Sequence, residues 1–253
     1  MTRTLLFLNG SLGLNIIQFL CLQSEIEITG VIVNEREKRA STYVPRIIEL
    51  LPSVQIFEYS QNLWEQSEFR NILNEANLAV SALFGHMIPS KVVKKFRSNI
   101  INLHPSLLPL GRGADPIPWA IIENEKQGVS IHIVEDKLDS GRIISQSEIS
   151  VVNSMTAGEI YELAMDELLT LFKEFIAFWP GQMDSEAQEG KSSYHRACEL
   201  QTLRDQLSQG DGEIERSVRV IQALTYSDGR AARLRFSNGE LWEISLSMYK
   251  VEE

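Results

Sequence analysis

The apolar positions of the first hundred residues fall into short dense runs, separated by longer stretches in which they recur every three or four places. Leu5–Leu8, Ile28–Val33, Val54–Phe57 and Leu78–Leu83 are of the first kind; Leu14–Leu22, Tyr43–Leu51 and Leu63–Leu73 are of the second. A short apolar run suits a strand covered on both faces, and a three-to-four repeat suits a helix with one buried stripe. Their alternation predicts βαβ units and hence an α/β fold, a Rossmann-like doubly wound and mostly parallel sheet. Ligands of such sheets gather at the carboxyl ends of the strands.

The pattern continues past residue 100. Ile101–Leu103 ends a buried strand that breaks into a Pro- and Gly-rich loop, and Asp115–Asn124 reads as a short helix with Pro116 in its first turn. From Gln127 to Glu135, Val129, Ile131 and Ile133 alternate with Ser130, His132 and Val134, which predicts a strand with one face fully buried; a turn at Asp136–Gly141 leads into another strand. Thr156 and Glu159 have the spacing of a capping box that opens a long amphipathic helix through Phe175, ending near Trp179-Pro180-Gly181. Residues 1–180 are therefore expected to form the main domain and 181–253 a small C-terminal α+β region. The latter should hold a helix around Glu199–Leu207 and an antiparallel meander of about three strands over Arg216–Leu224, Ala231–Phe236 and Leu241–Leu246. Asp228-Gly229 and Asn238-Gly239 supply its turn signals.

Composition narrows the class of protein. A chain of 253 residues with 43% hydrophobic and 23% charged positions is that of an ordinary globular enzyme or binding domain. A net charge of -10 argues against broad contact with nucleic acid or an anionic membrane, so a small-molecule partner is expected. Asn9, Gly10, Ser11 and Asn15 interrupt the N-terminal apolar run, which falls short of the ~20 residues a spanning helix needs; a cytoplasmic location is expected. Cys21 and Cys198 are far apart and belong to no CxxC pair, as for reduced thiols. The four histidines, His86, His104, His132 and His195, form no spaced ligand cluster, so no metal is expected.

Three loops carry candidate chemistry. Asn9-Gly10-Ser11-Leu12-Gly13 lacks the third glycine of a dinucleotide fingerprint, and reads better as a tight strand-to-helix turn beside a ligand cleft. In Leu83–Ile88, Gly85 permits unusual backbone dihedrals. Exposed backbone groups there could bond the edge of a flat heterocycle under Phe84 and Met87, although the spacing alone favours a plain βα connection with two core residues. Asn102 and His104 stand two apart at a strand end and so project to one side, a hydrogen-bond donor beside a proton carrier. Asp136 and Asp139 by themselves are ordinary turn residues.

Taken together, Asn102-x-His104-Pro105-Ser106-Leu107-Leu108-Pro109, then Arg112-Gly113-x-x-Pro116 and Trp119-Ala120-Ile121, then Leu138-Asp139-x-Gly141-x-Ile143, resemble the formyltransferases that use N10-formyltetrahydrofolate. The resemblance runs through about residues 1–180 in order. It implies a Rossmann-like catalytic domain with N10-formyltetrahydrofolate as co-substrate. The folate would be held by Leu83, Phe84, Gly85, Met87, Ile88 and Asp136. The catalytic residues would be Asn102, donating to the oxyanion, His104, shuttling the proton, and Asp139, orienting the imidazole. His132 reads as structural, lining the folate pocket at most.

Family members formylate glycinamide ribonucleotide, methionyl-tRNA or nucleotide-linked amino sugars, and one branch hydrolyses the folate. Tyr194, His195 and Arg196 resemble the stretch that follows the core in sugar N-formyltransferases; with Asn9 and Arg112 they are the candidate acceptor contacts, though Arg196 could equally cap the next helix. The tail is too small and too little basic for an RNA-binding barrel. The expected acceptor is therefore a deoxythymidine-diphosphate-linked amino-dideoxysugar, destined for surface polysaccharide such as lipopolysaccharide O-antigen. Methionyl-tRNA or another amine, hydrolysis of the folate, and non-catalytic folate binding are the alternatives. A meander edge would favour a homodimer.

Overall fold

The computed structural model describes all residues except 35–39, 153, 182–183, 207–213, 236–238 and 248–253. The described chain divides into two compact units. The first comprises 1–104, 131–145 and 168–187, and the second 105–130, 146–167 and 188–253. This division differs from the expected boundary at 180, because segments 105–130 and 146–167 group with the tail.

The first unit opens with β1 (Thr2–Leu8), α1 (Gly10–Leu20), β2 (Ile26–Val33), α2 (Ala40–Leu50) and β3 (Ile56–Glu58). It continues through α3 (Ser67–Glu75), β4 (Leu78–Ala82), α4 (Ser90–Phe96) and β5 (Ile100–His104). With β7 (Gly128–Ile133) and β8 (Ile143–Glu148), these strands make a seven-stranded sheet in the order β3-β2-β1-β4-β5-β7-β8; β6 lies outside it. The pairs β1/β2, β2/β3, β1/β4 and β4/β5 are parallel. Mostly parallel pairing with crossover helices is the doubly wound arrangement that the pattern predicted.

Burial explains the sheet. Leu5, Leu6, Phe7, Leu8, Leu78, Ala79 and Val80 are fully shielded from solvent, and each large aliphatic or aromatic side chain so covered is worth ~1.5–3 kcal/mol. Leu5, Phe7, Ile32 and Phe57 join Phe69 of α3 and Val92, Val93 and Phe96 of α4 in one cluster, with Phe57 and Phe69 edge-on at 5.3 Å. Separately, α1 buries Leu12, Ile16, Ile17 and Leu20, and its Phe19 meets Phe172 of α6 (Ala157–Phe178) at 6.1 Å.

The second unit holds β6 (Arg112–Gly113), α5 (Pro116–Ile122), the start of α6, β9 (Tyr194–His195), α7 (Ala197–Gln206), α8 (Ile214–Ala223), β10 (Ala232–Arg235) and β11 (Leu241–Ile244). β6 and β9 pair in parallel, and β10 and β11 antiparallel. The expected three-stranded meander is corrected here: Ile214–Ala223 is a helix. Val220, Ala223 and Leu224 are buried while Arg216 and Ser217 are exposed, the i, i+3, i+4 period of a helix. The Asp228-Gly229 turn signal after that run is what pointed to a strand. Asp228-Gly229, with Gly229 at φ 83°, consequently turns from a helix into β10, and Ser237-Asn238 lies outside the described residues.

The capping box is present at the start of α6. The Thr156 backbone N–H and hydroxyl both donate to the Glu159 carboxylate, at 2.7 and 2.8 Å, and the Glu159 N–H returns to the hydroxyl at 3.4 Å. Those bonds hold the Glu159 carboxyl below its ordinary value. A carboxyl with a depressed folded-state pKa stabilises the fold above its unfolded value and loses that contribution as pH falls through the folded one. Thr156→Ala is therefore expected to cost about 0.5–1 kcal/mol at pH 7, read by denaturant unfolding, with the gap from wild type narrowing below about pH 4.

Candidate active site

The parallel strands deliver their carboxyl ends to one edge of the sheet. The chain leaves β1 for β2 and β3, then returns to the opposite side of β1 as β4, which puts the topological switch point between the ends of β1 and β4. Asn9 ends β1 there; its N–H donates to the Ala82 carbonyl at 3.1 Å, and its side chain caps α1 by accepting the Gly10 N–H at 2.9 Å.

After β4 the chain turns at Leu83, which adopts φ 55°, a left-handed conformation uncommon for a residue with a side chain. The unusual dihedral that Gly85 would permit is taken by Leu83 instead, and a Cβ at Gly85 would meet only Asn34 Nδ2, at an ordinary contact distance of 3.4 Å. Rings pin the loop. Phe84 packs on Phe7 at 5.4 Å and on Tyr59 at 5.7 Å, and His86 stacks on Tyr59 at 3.8 Å with planes 16° apart.

One strand further, β5 carries Asn102 and His104. The His104 side chain is buried, and its Nδ1 lies 3.9 Å from Asp139 Oδ2. The opposite carboxylate oxygen, Oδ1, lies 3.6 Å from Nε2 of His132, also buried. His132 closes the arrangement, because its Nε2 is 3.1 Å from Asn102 Nδ2 and its Nδ1 is 2.9 Å from the Ile133 carbonyl. A carbonyl only accepts, so Nδ1 carries the hydrogen; Nε2 of the neutral ring then accepts from the Asn102 amide. An amide nitrogen has two hydrogens, and the second is left to point elsewhere.

The backbone dictates this convergence. Asp139 has φ 49°, and the Ser140 hydroxyl donates to the Lys137 carbonyl at 3.0 Å. Past the turn the Ile133 N–H donates to the Arg142 carbonyl at 2.9 Å. Gly141 lies so close to the Ile133 carbonyl that a Cβ there would overlap it. The turn thus folds back onto β7 and brings Asp139 over His132. Sequence reading had set His132 aside as structural, and had left one face of its strand open. All six residues of β7 are buried, and a polar ring in a fully covered strand, seven positions before an aspartate in a tight turn, was the available signal.

Ser81, Phe84, His86, Met87, Ile88, Asn102 and His132, with residues 134–136, 138 and 139, line a pocket of about 70 Å3. Met87 is 65% exposed and Leu138 45% exposed. Phe84, Met87, Ile88 and Asp136 share this lining with Asn102 and Asp139; Leu83 lies at the turn and Gly85 against Asn34.

The remaining expected contacts sit in the second unit. Arg112 donates to Gln188 Oε1 at 3.1 and 2.6 Å. β6 pairs Arg112 with Tyr194 and Gly113 with His195, so four of the five candidate acceptor residues are grouped. Tyr194 is half exposed. His195 stacks on Trp119 at 3.9 Å between Glu199, 3.1 Å from Nδ1, and Glu123, 3.1 Å from Nε2 at ion-pair distance but outside hydrogen-bond alignment. Arg196 donates to Glu199 at 3.1 Å, and Arg196 and His195 together hold the Glu199 carboxyl below its usual range.

Comparison with known proteins places this geometry. Residues 14–173 match the formyl transferase family model, and the chain belongs to that family. It is 34% identical over 170 residues to methionyl-tRNA formyltransferase of Protochlamydia amoebophila, covering 63% of this chain and 53% of that protein. It is 38% identical over 100 residues to the Bacillus cytotoxicus enzyme, covering 39% and 32%. The chain thus spans about half or less of these relatives' length. In fold it is similar to a sugar N-formyltransferase from Shewanella, with TM-score 0.81 and 21% identity over 100% of both chains. A 4-N formyltransferase from Francisella tularensis gives TM-score 0.82 at 16% identity over 99% of both.

Two outcomes are expected of this geometry. Long-range 1H–15N spectra of the neutral His132 ring should show the hydrogen on Nδ1 and an unprotonated Nε2, and the opposite tautomer would break the Asn102 contact as described. Gly141→Ala should destabilise the fold by roughly 1–3 kcal/mol in denaturant melts, since backbone rather than a movable side chain stands in the way.

Proposed function

We propose that this chain transfers a formyl group from N10-formyltetrahydrofolate to the amino group of a nucleotide-linked amino-dideoxysugar. The observation that carries the reading is the buried Asp139 carboxylate facing both His104 and His132, with Asn102 bonded to His132, in a chain of the formyl transferase family. The folate fits the pocket beside them. Phe84, Met87, Ile88 and Leu138 offer apolar surface for the faces of a flat heterocycle, and Asp136 and the loop backbone offer polar partners for its edge. The enclosed space of about 70 Å3 takes part of a bicyclic ring, with exposed Met87 and Leu138 at the border. Bound there, N10-formyltetrahydrofolate would supply the activated one-carbon group.

The residues then have separate tasks. Asn102 directs its second amide hydrogen at the oxygen that gains charge during attack, with His132 holding the amide in place. His104 takes the proton released by the attacking amine and delivers it to the departing nitrogen. Asp139 orients the imidazole and favours its charged form. None of these tasks forms a bond between the enzyme and the group in transit.

The amino-sugar acceptor is supported by the extent of the likenesses. Sugar N-formyltransferases match the fold through the tail, over 100% of this chain, whereas the match to the methionyl-tRNA formyltransferase of Protochlamydia covers 63%. One solved relative in fold, at 18% identity, was crystallised as a sugar 3N-formyltransferase with deoxythymidine diphosphate and a formylated tetrahydrofolate. Arg112, Tyr194, His195 and Arg196 are the proposed acceptor contacts, with Arg196 and His195 exchanging Glu199 for phosphate. The protein would act as a cytoplasmic homodimer, and its product would go on to surface polysaccharide.

The test incubates the protein with N10-formyltetrahydrofolate and deoxythymidine-diphosphate-linked 3- or 4-amino-dideoxysugars, methionyl-tRNA, or buffer alone, following tetrahydrofolate release. Release only with an amino sugar is expected. Release in buffer alone would make the protein a hydrolase, and release only with charged tRNA would overturn the acceptor. Asn102→Ala should lower kcat by ~10²–10³ and His104→Asn by ~10²–10⁴, with acceptor KM little changed.

A further inference from the structure

Asn34 follows β2 at the carboxyl edge of the sheet and is 5% exposed. Its Oδ1 is buried and makes no hydrogen bond among the described residues. Buried side-chain oxygens are almost always bonded, and one left without a partner is a cost that a bound molecule can remove. Its other end, Nδ2, rests against Gly85, at 3.4 Å from the place a Cβ would occupy.

Position gives that oxygen a meaning. Strands β2, β1, β4 and β5 are neighbours in that order, so Asn34, Asn9, the Leu83–Gly85 turn and Asn102 form one row along the strand ends. β2 and β5 are three spacings apart, about 14 Å. Gly85 divides the row. The proposed folate pocket lies on the side of Asn102 and residues 134–139, while Asn34 and Asn9 lie on the other side, across the switch point where such sheets bind ligands. A molecule whose amine reaches Asn102 and His104, and whose remainder exceeds one sugar ring, is long enough to reach Asn34 along this row.

We infer that Asn34 is a specificity residue for the acceptor, its Oδ1 taking a hydrogen from a hydroxyl or N–H of the acceptor at a distance from the reacting amine. The inference rests on the formyl-transfer reading and names a residue that reading leaves unassigned. Its sign is unusual: the carboxamide oxygen is buried and makes no hydrogen bond among the described residues, so replacing the side chain with an apolar group of the same shape should not weaken the fold.

Asn34→Leu tests this in the full chain. Expected is an acceptor KM raised about tenfold, with the KM for N10-formyltetrahydrofolate unchanged and a Tm equal to or above wild type. Asn34→Asp, which retains the accepting oxygen, should recover part of the acceptor KM. An acceptor KM unchanged in Asn34→Leu overturns the inference, as does a Tm lowered by several degrees with both KM values raised alike, which would mark a structural residue. Wild-type protein that transfers to no amine overturns the formyl-transfer reading itself and this inference with it.

Discussion

A carboxylate taken out of water loses several kcal/mol of hydration that its surroundings must replace. Asp139, 8% exposed, is in that position. His104 Nδ1 stands by one oxygen and His132 Nε2 by the other, and since Nε2 of the neutral His132 ring is the acceptor for Asn102, only His104 has a ring hydrogen to offer the carboxylate. Those contacts exist because Asp139 takes a left-handed backbone conformation and because Gly141 lets the returning chain lie against Ile133. The same return fixes His132, whose ring hydrogen is committed to the Ile133 carbonyl and whose other nitrogen orients Asn102. The His104 ring, the Asn102 amide and the Asp139 carboxylate therefore form one mechanical unit.

The parallel sheet supplies the platform for that unit. Its strands are covered on both sides, so their ends cannot shift without disturbing fully buried Leu5–Leu8 and Leu78–Val80. Above this base the loops carry the variable chemistry. The Leu83–Ile88 loop is held by the contacts of Phe84 and His86 with Tyr59, and its Gly85 lies against the buried carboxamide of Asn34. Rigid strand ends with a pinned loop between them suit the positioning of two substrates at one transfer point.

The second unit shows a different economy of charge. His195 is stacked on Trp119 and faces two carboxylates, and Arg196 shares Glu199 with it. The two side chains thus converge on one carboxylate and hold it below its usual range.

Periodicity and composition by themselves determined the strands, most helices and the doubly wound order, because apolar spacing is a local property that burial then rewards. The resemblance to formyltransferases, rather than periodicity or composition, joined Asp139 to Asn102 and His104. Tertiary structure alone decided what those residues touch. His132 looked structural because a histidine among apolar neighbours is read by its own strand, and its contact with Asp139 arises from a turn seven residues later. Leu83 rather than Gly85 carries the left-handed turn, since the ring packing on either side over-determines the backbone there. The tail strand became α8 for a related reason: the Asp228-Gly229 signal marks a turn without fixing the element before it, and the i, i+3, i+4 face of Val220, Ala223 and Leu224 could be buried only as a helix. The orphaned oxygen of Asn34 is invisible in sequence, because whether a polar group has a partner depends on everything that folds around it.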